Sequence, residues 1–205
     1  MNKVLPGALT DLIDALGVLP GVGQRTAERY AYYLLRQEKA MSRRLAGLLE
    51  TIHERIELCP VTFAFIDASE EVSSLYASTE RDKAVVAVVE NPFDVIAIES
   101  TGAYNGTYHV LGGAISPIDG VGPEKLHIPE LLKRLASDKV QELILATNPS
   151  VEGESTALYI QKQLEDSGLT KIKVTRLARG LPSGVDLAYA DQITIQHALS
   201  GRKTL

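Results

Sequence analysis

Cysteine is almost absent from this sequence, because Cys59 is the only one among 205 residues. A single thiol excludes a disulfide within the chain and every metal site built from several cysteines. Long apolar runs are also missing, since no stretch reaches the roughly 18 apolar residues that a membrane-spanning helix needs. The first residues include acidic side chains and a proline where a secretion signal requires an apolar run. We therefore expect a soluble cytoplasmic protein with no membrane partner.

The charge balance is acidic, with 26 Asp and Glu side chains against 21 Lys and Arg, which gives a net charge of −5. This acid is unevenly distributed: residues 1–58 carry eight basic and seven acidic side chains, and the remainder carries the acidic excess. Hydrophobic residues make up 45% of the chain, which is too many for a disordered protein. The asymmetry in charge is mild and does not by itself indicate a nucleic-acid partner.

The first 58 residues are predicted to form three amphipathic helices, the first ending at Gly17 and the third beginning at Ser42 as its N-cap. The apolar positions at helical spacing are Leu9, Leu12, Ile13 and Leu16 in the first helix, Ala27, Tyr30, Ala31 and Leu34 in the second, and Leu45, Leu48, Leu49, Ile52 and Ile56 in the third. We expect these side chains to face inward.

The turn between the first two helices, LPGVG at residues 19–23, is typical of a helix-hairpin-helix. Gly21 and Gly23 lack a Cβ, so the backbone can turn tightly and approach another molecule closely. The N-terminus of the following helix attracts a phosphate, and Arg25 and Arg29 share one face of that helix. Such contacts bind a strand without reading its sequence. The alternative is an ordinary helical corner with two solvated arginines, and the combination of residues favours the DNA-binding hairpin.

Residues 83–177 alternate strand-like and helix-like segments, which indicates a doubly wound parallel sheet in an α/β fold. The run at residues 85–89 is apolar and β-branched, as in a strand buried on both faces. Polar groups are expected at the carboxyl ends of the strands. The side chains at these positions are Glu90, Asp94, Asn148, Glu152 and Glu154.

Two interpretations of these acids remain open. Carboxylates that meet at strand ends can hold Mg²⁺ for phosphoryl transfer. Alternatively, Glu90 and Glu152 are acids that the helix dipole favours at helix N-termini. Asn148-Pro149-Ser150 offers no carboxylate where a working metal site would want one, so a strong cation site is not expected. The glycine-proline loop at residues 112–125 lacks the spacing of a nucleotide-binding loop.

The middle segment, residues 59–82, is predicted to be a small hairpin-like lobe. Val61, Phe63 and Phe65 alternate as in a short strand, and Leu75 and Tyr76 add apolar surface. Cys59 and the nearby His53 cannot supply the four ligands of structural zinc. A buried, inert thiol is the expected role of Cys59.

Taken together, these segments resemble the RecR family of bacterial recombination-repair proteins over nearly the whole chain. The matching blocks are LPGVGQRTAERYAYYLL, VVENPFDVIAIESTGAYNGTYHVLGG, AISPIDGVGP, ATNPSVEGESTALYI and TRLARGLPSG. The resemblance implies a helix-hairpin-helix domain at 1–56, a degenerate zinc lobe at 57–82, a Toprim domain at 83–177 and a C-terminal oligomerisation segment at 178–205.

The resemblance also implies a function. RecR proteins are non-catalytic; they bind single- and double-stranded DNA without sequence preference and work with RecO and RecF to load a recombinase at gaps. They form homodimers or ring-like homotetramers, and a nucleoid-associated cytoplasmic location follows. The alternatives are a Mg²⁺-dependent Toprim nuclease or primase using Glu90, Glu152 and Glu154, and a protein scaffold without DNA affinity of its own.

Individual residues can be matched to the family pattern. Arg25 and Arg29 fall on its DNA-contacting positions, and Glu90 falls on the Toprim glutamate. Residues 148–154, with Glu152 and Glu154, occupy the segment where catalytic Toprim enzymes keep an Asp-x-Asp pair. Asp94 lies in the acidic patch associated with RecO contact.

The zinc lobe is where this sequence departs from the family. The four family cysteines fall on Cys59, Thr62, Ser73 and Tyr76, so three of four ligands are gone. No cofactor is therefore expected, although weak Mg²⁺ binding at the acidic patch stays open. Our hypothesis is that one apolar cluster replaces the metal. Its proposed members are Phe63, Phe65, Leu75 and Tyr76.

Overall fold

The computed structural model describes residues 4–202 and divides into two compact units, Met1–Arg55 and Ile56–Leu205. The first unit is helical and the second contains a parallel four-stranded sheet, which confirms the predicted α/β class. Within the described range, none of the helices has the length and apolar character needed to span a bilayer.

The first unit consists of helices α1 (Gly7–Gly17), α2 (Gln24–Arg36) and α3 (Lys39–Arg55). Its small core lies between α1 and α2, where Ile13 packs against Ala27 and Ala31 and all three side chains are buried. Alanine at both α2 positions lets the two helix backbones approach closely, which fixes the hairpin as a unit.

The third helix differs from its prediction. It begins at Lys39 rather than Ser42, none of its described side chains is buried, and Ile56 lies beyond it in a strand. Tyr30 on α2, expected to face inward, is exposed as well. A groove of about 710 Å³ runs among the three helices and is lined mainly by apolar side chains such as Leu45 and Leu49. Periodicity identifies an apolar helix face but does not say whether anything in the same unit covers it.

The second unit opens with a two-stranded antiparallel hairpin, β1 (Ile56–Leu58) and β2 (Phe65–Asp67), followed by the short helix α4 (Ser74–Ala77). The predicted alternation through Val61, Phe63 and Phe65 is not one strand. Phe63 has φ of +57° in the turn between the strands, and its amide donates to the carbonyl of Cys59 at 2.9 Å. The hairpin-like lobe is therefore present, but its turn lies at residues 59–64, in the segment that the alternation predicted to be a strand.

The parallel sheet has the order β4-β3-β5-β6. Its strands are β3 (Asp82–Val89), β4 (Gly106–Val110), β5 (Glu142–Leu145) and β6 (Lys173–Arg176). The helices that follow are α5 (Pro92–Glu99), α6 (Ile128–Ser137), α7 (Val151–Asp166) and α8 (Gln192–Ser200), with 3₁₀ turns at Pro123–Lys125 and Leu187–Tyr189.

Both faces of the sheet are covered, as the apolar run at residues 85–89 predicts. Val86 and Val88 point into a core formed with α6 and α7. Ala87 and Val89 point into a second core that includes Val95 of α5. Side chains alternate across a strand, so a continuous apolar run fits only a strand buried on both sides.

The aromatic side chains of the middle lobe do not form the single apolar cluster proposed from the sequence. Phe63 stacks on the ring of His127 with centroids 3.8 Å apart, and Phe65 meets Phe93 edge-on at 5.9 Å. Leu75 packs against the core on the α5 face of the sheet. Phe63 packs against that same core, whereas Phe65 contacts α5 through Phe93. The sheet domain thus holds these side chains, because the lobe is too small to enclose a core of its own.

Tyr76 anchors the lobe through polar contacts instead. Its hydroxyl donates to the Asp138 carboxylate at 3.3 Å, and its ring lies 5.0 Å from the guanidinium of Arg134. Arg134 is only 5% exposed and donates to the carbonyl of Tyr108, to the hydroxyl of Thr107 and, at 3.1 Å, to Asp138. Burial and the negative charge of Asp138 raise the pKa of Tyr76. The Arg134–Asp138 ion pair belongs to the end of α6. It contacts β4 through Arg134 and the lobe through the Tyr76 hydroxyl, so it links the three elements.

His109 lies in the buried edge strand β4 in its neutral form. Its Nε2 is 2.8 Å from the carbonyl oxygen of His127, and its Nδ1 has no hydrogen-bond partner among residues 4–202. Burial lowers the pKa of His109 to about 3. The ring therefore carries no charge at neutral pH.

This histidine is expected to make the fold acid-sensitive. In the unfolded chain its pKa is about 6.5, so only the unfolded state gains a proton as the pH falls from about 6.5 towards 3. We expect the free energy of unfolding to drop by about 1.4 kcal/mol between pH of about 7.5 and 5.5 from this residue alone. Urea titrations across that range should show a shallower pH dependence for His109→Leu than for the wild type. His53→Gln, at an exposed position of α3, is the matched control and should leave the dependence unchanged.

Candidate functional site

The turn between α1 and α2 depends on one of its two glycines for its shape. Gly21 has φ of +77°, a conformation that side chains other than glycine adopt only with strain. Gly23 has an ordinary extended backbone, and a Cβ there would meet open space. Both glycines were predicted to shape the turn, but the turn requires only Gly21. Because Gly23 has no side chain, another molecule has room to approach this turn.

The first turn of α2 presents unsatisfied amide groups. Gly23 is the N-cap residue, and its carbonyl accepts from the amides of Thr26 and Ala27 at 2.9 and 3.0 Å. No side chain caps this helix end, so the amides of Gln24 and Arg25 are left for solvent or a ligand. The positive end of the helix dipole coincides with these amides, which favours an anion.

Arg25 and Arg29 lie beside this helix end, one turn apart and exposed. Within the described part of the chain, neither pairs with a carboxylate. The guanidinium of Arg29 lies 5.7 Å from the ring of Tyr30. Two unneutralised cations next to free amide groups make this surface suited to a phosphate backbone.

Glu90 occupies the carboxyl end of β3 and is only 6% exposed. Both of its carboxylate oxygens accept hydrogen bonds from one residue: the Asn148 amide nitrogen at 2.8 Å and the Asn148 side-chain Nδ2 at 2.6 Å. Asn148 follows β5, the neighbouring strand, so the parallel sheet brings the two together as predicted for strand ends. Glu90 also directly precedes Asn91, the N-cap residue of α5, so the contact with Asn148 does not by itself decide between the two interpretations of this acid.

Gly153, which sequence reasoning did not single out, makes this arrangement fit. A Cβ at this position would collide with the carbonyl oxygen of Asn148 and lie 2.8 Å from Oε1 of Glu90. The Gly153 amide donates to the N-cap hydroxyl of Ser150 at 3.0 Å, and its carbonyl accepts from Thr147 at 2.9 Å. The signal in the sequence was a glycine in the first turn of a predicted helix, where propensity disfavours it.

Gly153→Ala is expected to destabilise the second unit by about 1–3 kcal/mol, because backbone and carboxylate must both move to admit the methyl group. Gly180→Ala is the matched control. A Cβ there would lie 3.9 Å from its nearest neighbour, so we expect a change within about 0.5 kcal/mol. Urea denaturation followed by circular dichroism measures both. Equal stability of the two variants would contradict the close approach of α7 to Glu90.

Glu154 is bound to arginines rather than joined to Glu90. Its two carboxylate oxygens accept from Arg176 at the end of β6 and from Arg179 just beyond it. Burial lowers the pKa of Arg176, which also donates to the Thr147 hydroxyl at 3.2 Å. Neither arginine was predicted to be functional. Both lie at or beyond the end of β6, and no role was assigned to that strand end.

The remaining two acids, Asp94 and Glu152, each lie in the first turn of a different helix. Asp94 accepts from the Asn91 amide at 2.8 Å and completes a capping box at the start of α5. Glu152 lies half-buried in the first turn of α7, where the helix dipole favours an acid, as its alternative interpretation held. Its carboxylate has no hydrogen-bond or ion-pair partner within residues 4–202.

Three family models match separate parts of this chain. Residues 9–53 match the family model described as "RecR, helix-hairpin-helix", residues 84–178 match "Toprim domain" and residues 180–203 match "RecR, C-terminal". The "Recombination protein RecR" of Acidothermus cellulolyticus is 50% identical over 97% of this chain and 98% of its own length, and that of Streptomyces coelicolor is 51% identical over the same shares. The Treponema denticola protein of the same name is 46% identical over 95% of this chain and 97% of its own.

The chain belongs to the RecR family. This confirms the resemblance seen in the sequence and places the protein among the recombination proteins of DNA repair.

A catalytic Toprim metal site does not fit the RecR residues present here. Both carboxylate oxygens of Glu90 accept hydrogen bonds from Asn148, and Glu154 forms ion pairs with two arginines. Among residues 4–202, no group of three or more His, Cys, Asp and Glu side chains is arranged to hold a metal ion. Mg²⁺ prefers several oxygen ligands, and Glu152, the remaining acid of the three, cannot supply them alone.

The zinc that the resemblance implied for the middle lobe does not fit the residues present either. Cys59 is buried, and its sulfur accepts from the amides of Thr62 and Ser73 at 3.4 and 3.3 Å, at two of the positions where the family pattern has cysteines. Burial acts to raise the pKa of this thiol, but hydrogen bonds from Thr62 and Ser73 outweigh it, so the pKa is lowered from its usual value. Hydroxyl groups and a tyrosine at the other three positions are not the ligands that structural zinc takes.

Proposed function

We propose that this RecR-family protein binds DNA without sequence preference through the α1–α2 hairpin and acts non-catalytically in recombinational repair. The observation that carries the proposal is the uncapped start of α2 beside two exposed arginines, Arg25 and Arg29, that lack carboxylate partners. Amide groups and guanidinium groups both bind phosphate, the part of DNA that every sequence shares. Both single and double strands are therefore ligands.

The proposed assembly includes partners. In the cytoplasm, as a homodimer or a ring-like homotetramer, the protein would work with RecO and RecF at gaps in DNA to promote recombinase loading. The second unit supports a protein contact rather than a DNA contact, because the acidic excess of the chain lies there. Asp94 and Glu152, partly exposed at the carboxyl end of the sheet, are the proposed acids for RecO.

The test is DNA binding measured against salt concentration on a sample of known oligomeric state, first alone and then with RecO. We expect affinity to fall steeply with salt, to be similar for unrelated sequences and to rise with RecO. Loading of recombinase on gapped DNA coated with single-strand-binding protein then tests the assembly. Salt-independent binding, or no stimulation of loading, would contradict the proposal.

One observation favours a second candidate, a Mg²⁺-dependent nuclease or primase: the match of residues 84–178 to the Toprim domain. Its residues would be Glu90, Glu152 and Glu154. We expect no cleavage and no primer synthesis with Mg²⁺, since two of these carboxylates already have partners in the fold. Metal-dependent activity that Glu90→Gln abolishes would establish the enzyme instead.

We also propose that the middle lobe folds without metal. The contacts of Phe63, Phe65 and Tyr76 with the sheet domain support this, since each joins the lobe to a larger structure that has cores of its own. Elemental analysis of the purified protein should give far less than one zinc per chain, and a chelator should not change its thermal unfolding. Stoichiometric zinc would show this proposal to be wrong.

A further inference from the structure

The solvent face of α2 continues beyond the two arginines of the hairpin. Arg25, Arg29, Tyr32 and Arg36 follow one another at intervals of four, three and four residues. At about 100° per residue these side chains fall within an arc of about 60°, and they extend along about 16 Å of helix. We call these four residues the basic–aromatic face.

This face points away from the core of the helical unit. The buried residues of α2 are Ala27 and Ala31, which lie roughly opposite on the helix. Tyr32 is 58% exposed, and the guanidinium of Arg36 lies 5.7 Å from the centre of its ring. Within the described range Arg36, like the two arginines of the hairpin, forms no ion pair with a carboxylate.

The combination suits one kind of ligand better than others. Arginines spaced along a helix bind successive phosphates, and an exposed aromatic ring between them provides a flat surface on which a base can stack. A base is free to stack only where the strand is unpaired, because in a duplex both of its faces are covered by neighbouring bases. The arginine contact on the Tyr32 ring also holds that ring against the helix, ready for stacking.

We propose that the basic–aromatic face binds single-stranded DNA, with Tyr32 stacking on an unpaired base and Arg36 contacting a phosphate beyond the hairpin. The inference rests on the proposed function, because it assumes that the hairpin carries phosphate binding. It adds a preference: the hairpin alone would not distinguish strand types, whereas Tyr32 contributes only where bases are unpaired.

The experiment compares a short oligothymidylate with a duplex of mixed sequence by fluorescence anisotropy on the full chain. Tyr32→Ala is expected to weaken single-strand binding by about 5- to 150-fold, the range for loss of one stacked base, and to leave duplex binding unchanged. Tyr32→Phe keeps the ring and should bind like the wild type. With 2-aminopurine in the oligonucleotide, the wild type should quench its fluorescence and Tyr32→Ala should not.

Two further variants separate stacking from charge. Tyr30→Ala is the matched control: this tyrosine also lies beside an arginine on α2 but falls outside the arc, so single-strand affinity should not change. Arg36→Ala should weaken binding of both the oligothymidylate and the duplex. It should also reduce the salt slope for single strands by about 0.7, the value for one phosphate.

The outcomes distinguish this inference from the proposed function beneath it. If Tyr32→Ala binds single strands like the wild type, or loses both ligands equally, the stacking inference fails while the hairpin stands. If an Arg25→Ala/Arg29→Ala double variant retains full affinity, the hairpin proposal itself fails. A change in oligomeric state for Tyr32→Ala, measured by mass photometry, would assign the ring to a protein interface and overturn the inference.

Discussion

Replacing Arg25 and Arg29 together with alanine is expected to weaken duplex binding by about 60-fold at about 0.1 M salt. Each arginine that neutralises a phosphate contributes about 0.9 to the slope of log affinity against log salt. Two such contacts therefore raise the logarithm of the affinity by about 1.8 when salt falls from about 1 M to about 0.1 M, which is the expected factor of about 60. The same variant should show a salt slope smaller by about 1.8. Anisotropy titrations at a series of salt concentrations measure both quantities.

The control for this result removes the same charge from the same unit. Arg43 and Arg44 lie exposed on α3, away from the turn that presents free amide groups. Their double alanine variant should retain most of the affinity and nearly all of the salt slope. If the two double variants lost affinity equally, binding would depend on the overall charge of the helical unit. The α1–α2 hairpin would then have no special role.

Replacing Asp138 with alanine is expected to lower the free energy of unfolding of the second unit by about 3 kcal/mol. Asp138 is the carboxylate partner of Arg134, whose side chain is 4% exposed, and it also accepts from the Tyr76 hydroxyl. Removing one member of a buried pair leaves the other charge without its counterion, which costs about 3–5 kcal/mol. We take the lower end because Asp138 itself is 15% exposed. Urea denaturation gives the value.

Because Tyr76 belongs to the middle lobe, the same variant tests how that lobe is held. We expect Asp138→Ala to expose the backbone amides of the lobe to faster hydrogen exchange. Asp166→Ala, which removes an exposed acid at the end of α7, should change stability by no more than about 0.5 kcal/mol. An Asp138→Ala protein as stable as this control would mean that the Arg134 pair does not anchor the lobe.

Local patterns in the sequence were sufficient where structure depends on local physics. The glycine turn at residues 19–23 predicted the hairpin because a tight turn followed by a helix needs particular residues in order. The apolar run at residues 85–89 predicted a strand covered on both faces, and the sheet confirms it. The identity of Cys59 as a buried thiol also followed from counting possible ligands.

Predictions that depended on what lies across the fold were less successful. The apolar side chains of α3 were expected to be buried, but the unit leaves them exposed along an open groove. The four side chains proposed to replace the zinc were expected to pack together, but Phe65 and Tyr76 contact separate elements. Composition shows that apolar surface is available, and only the arrangement of neighbouring elements decides what it meets.

The acidic positions show the same division. The sequence by itself determined the fold class and the placement of Glu90 and residue 148 at carboxyl ends of strands, because these follow from order and periodicity along one chain. The family followed from the blocks of sequence that resemble RecR. Only the tertiary structure decided that Asn148 donates to both oxygens of Glu90 and that Arg176 and Arg179 pair with Glu154. Ion pairs and hydrogen bonds form between residues that are distant in sequence. Their partners are selected by distances of a few ångströms that only the folded chain sets.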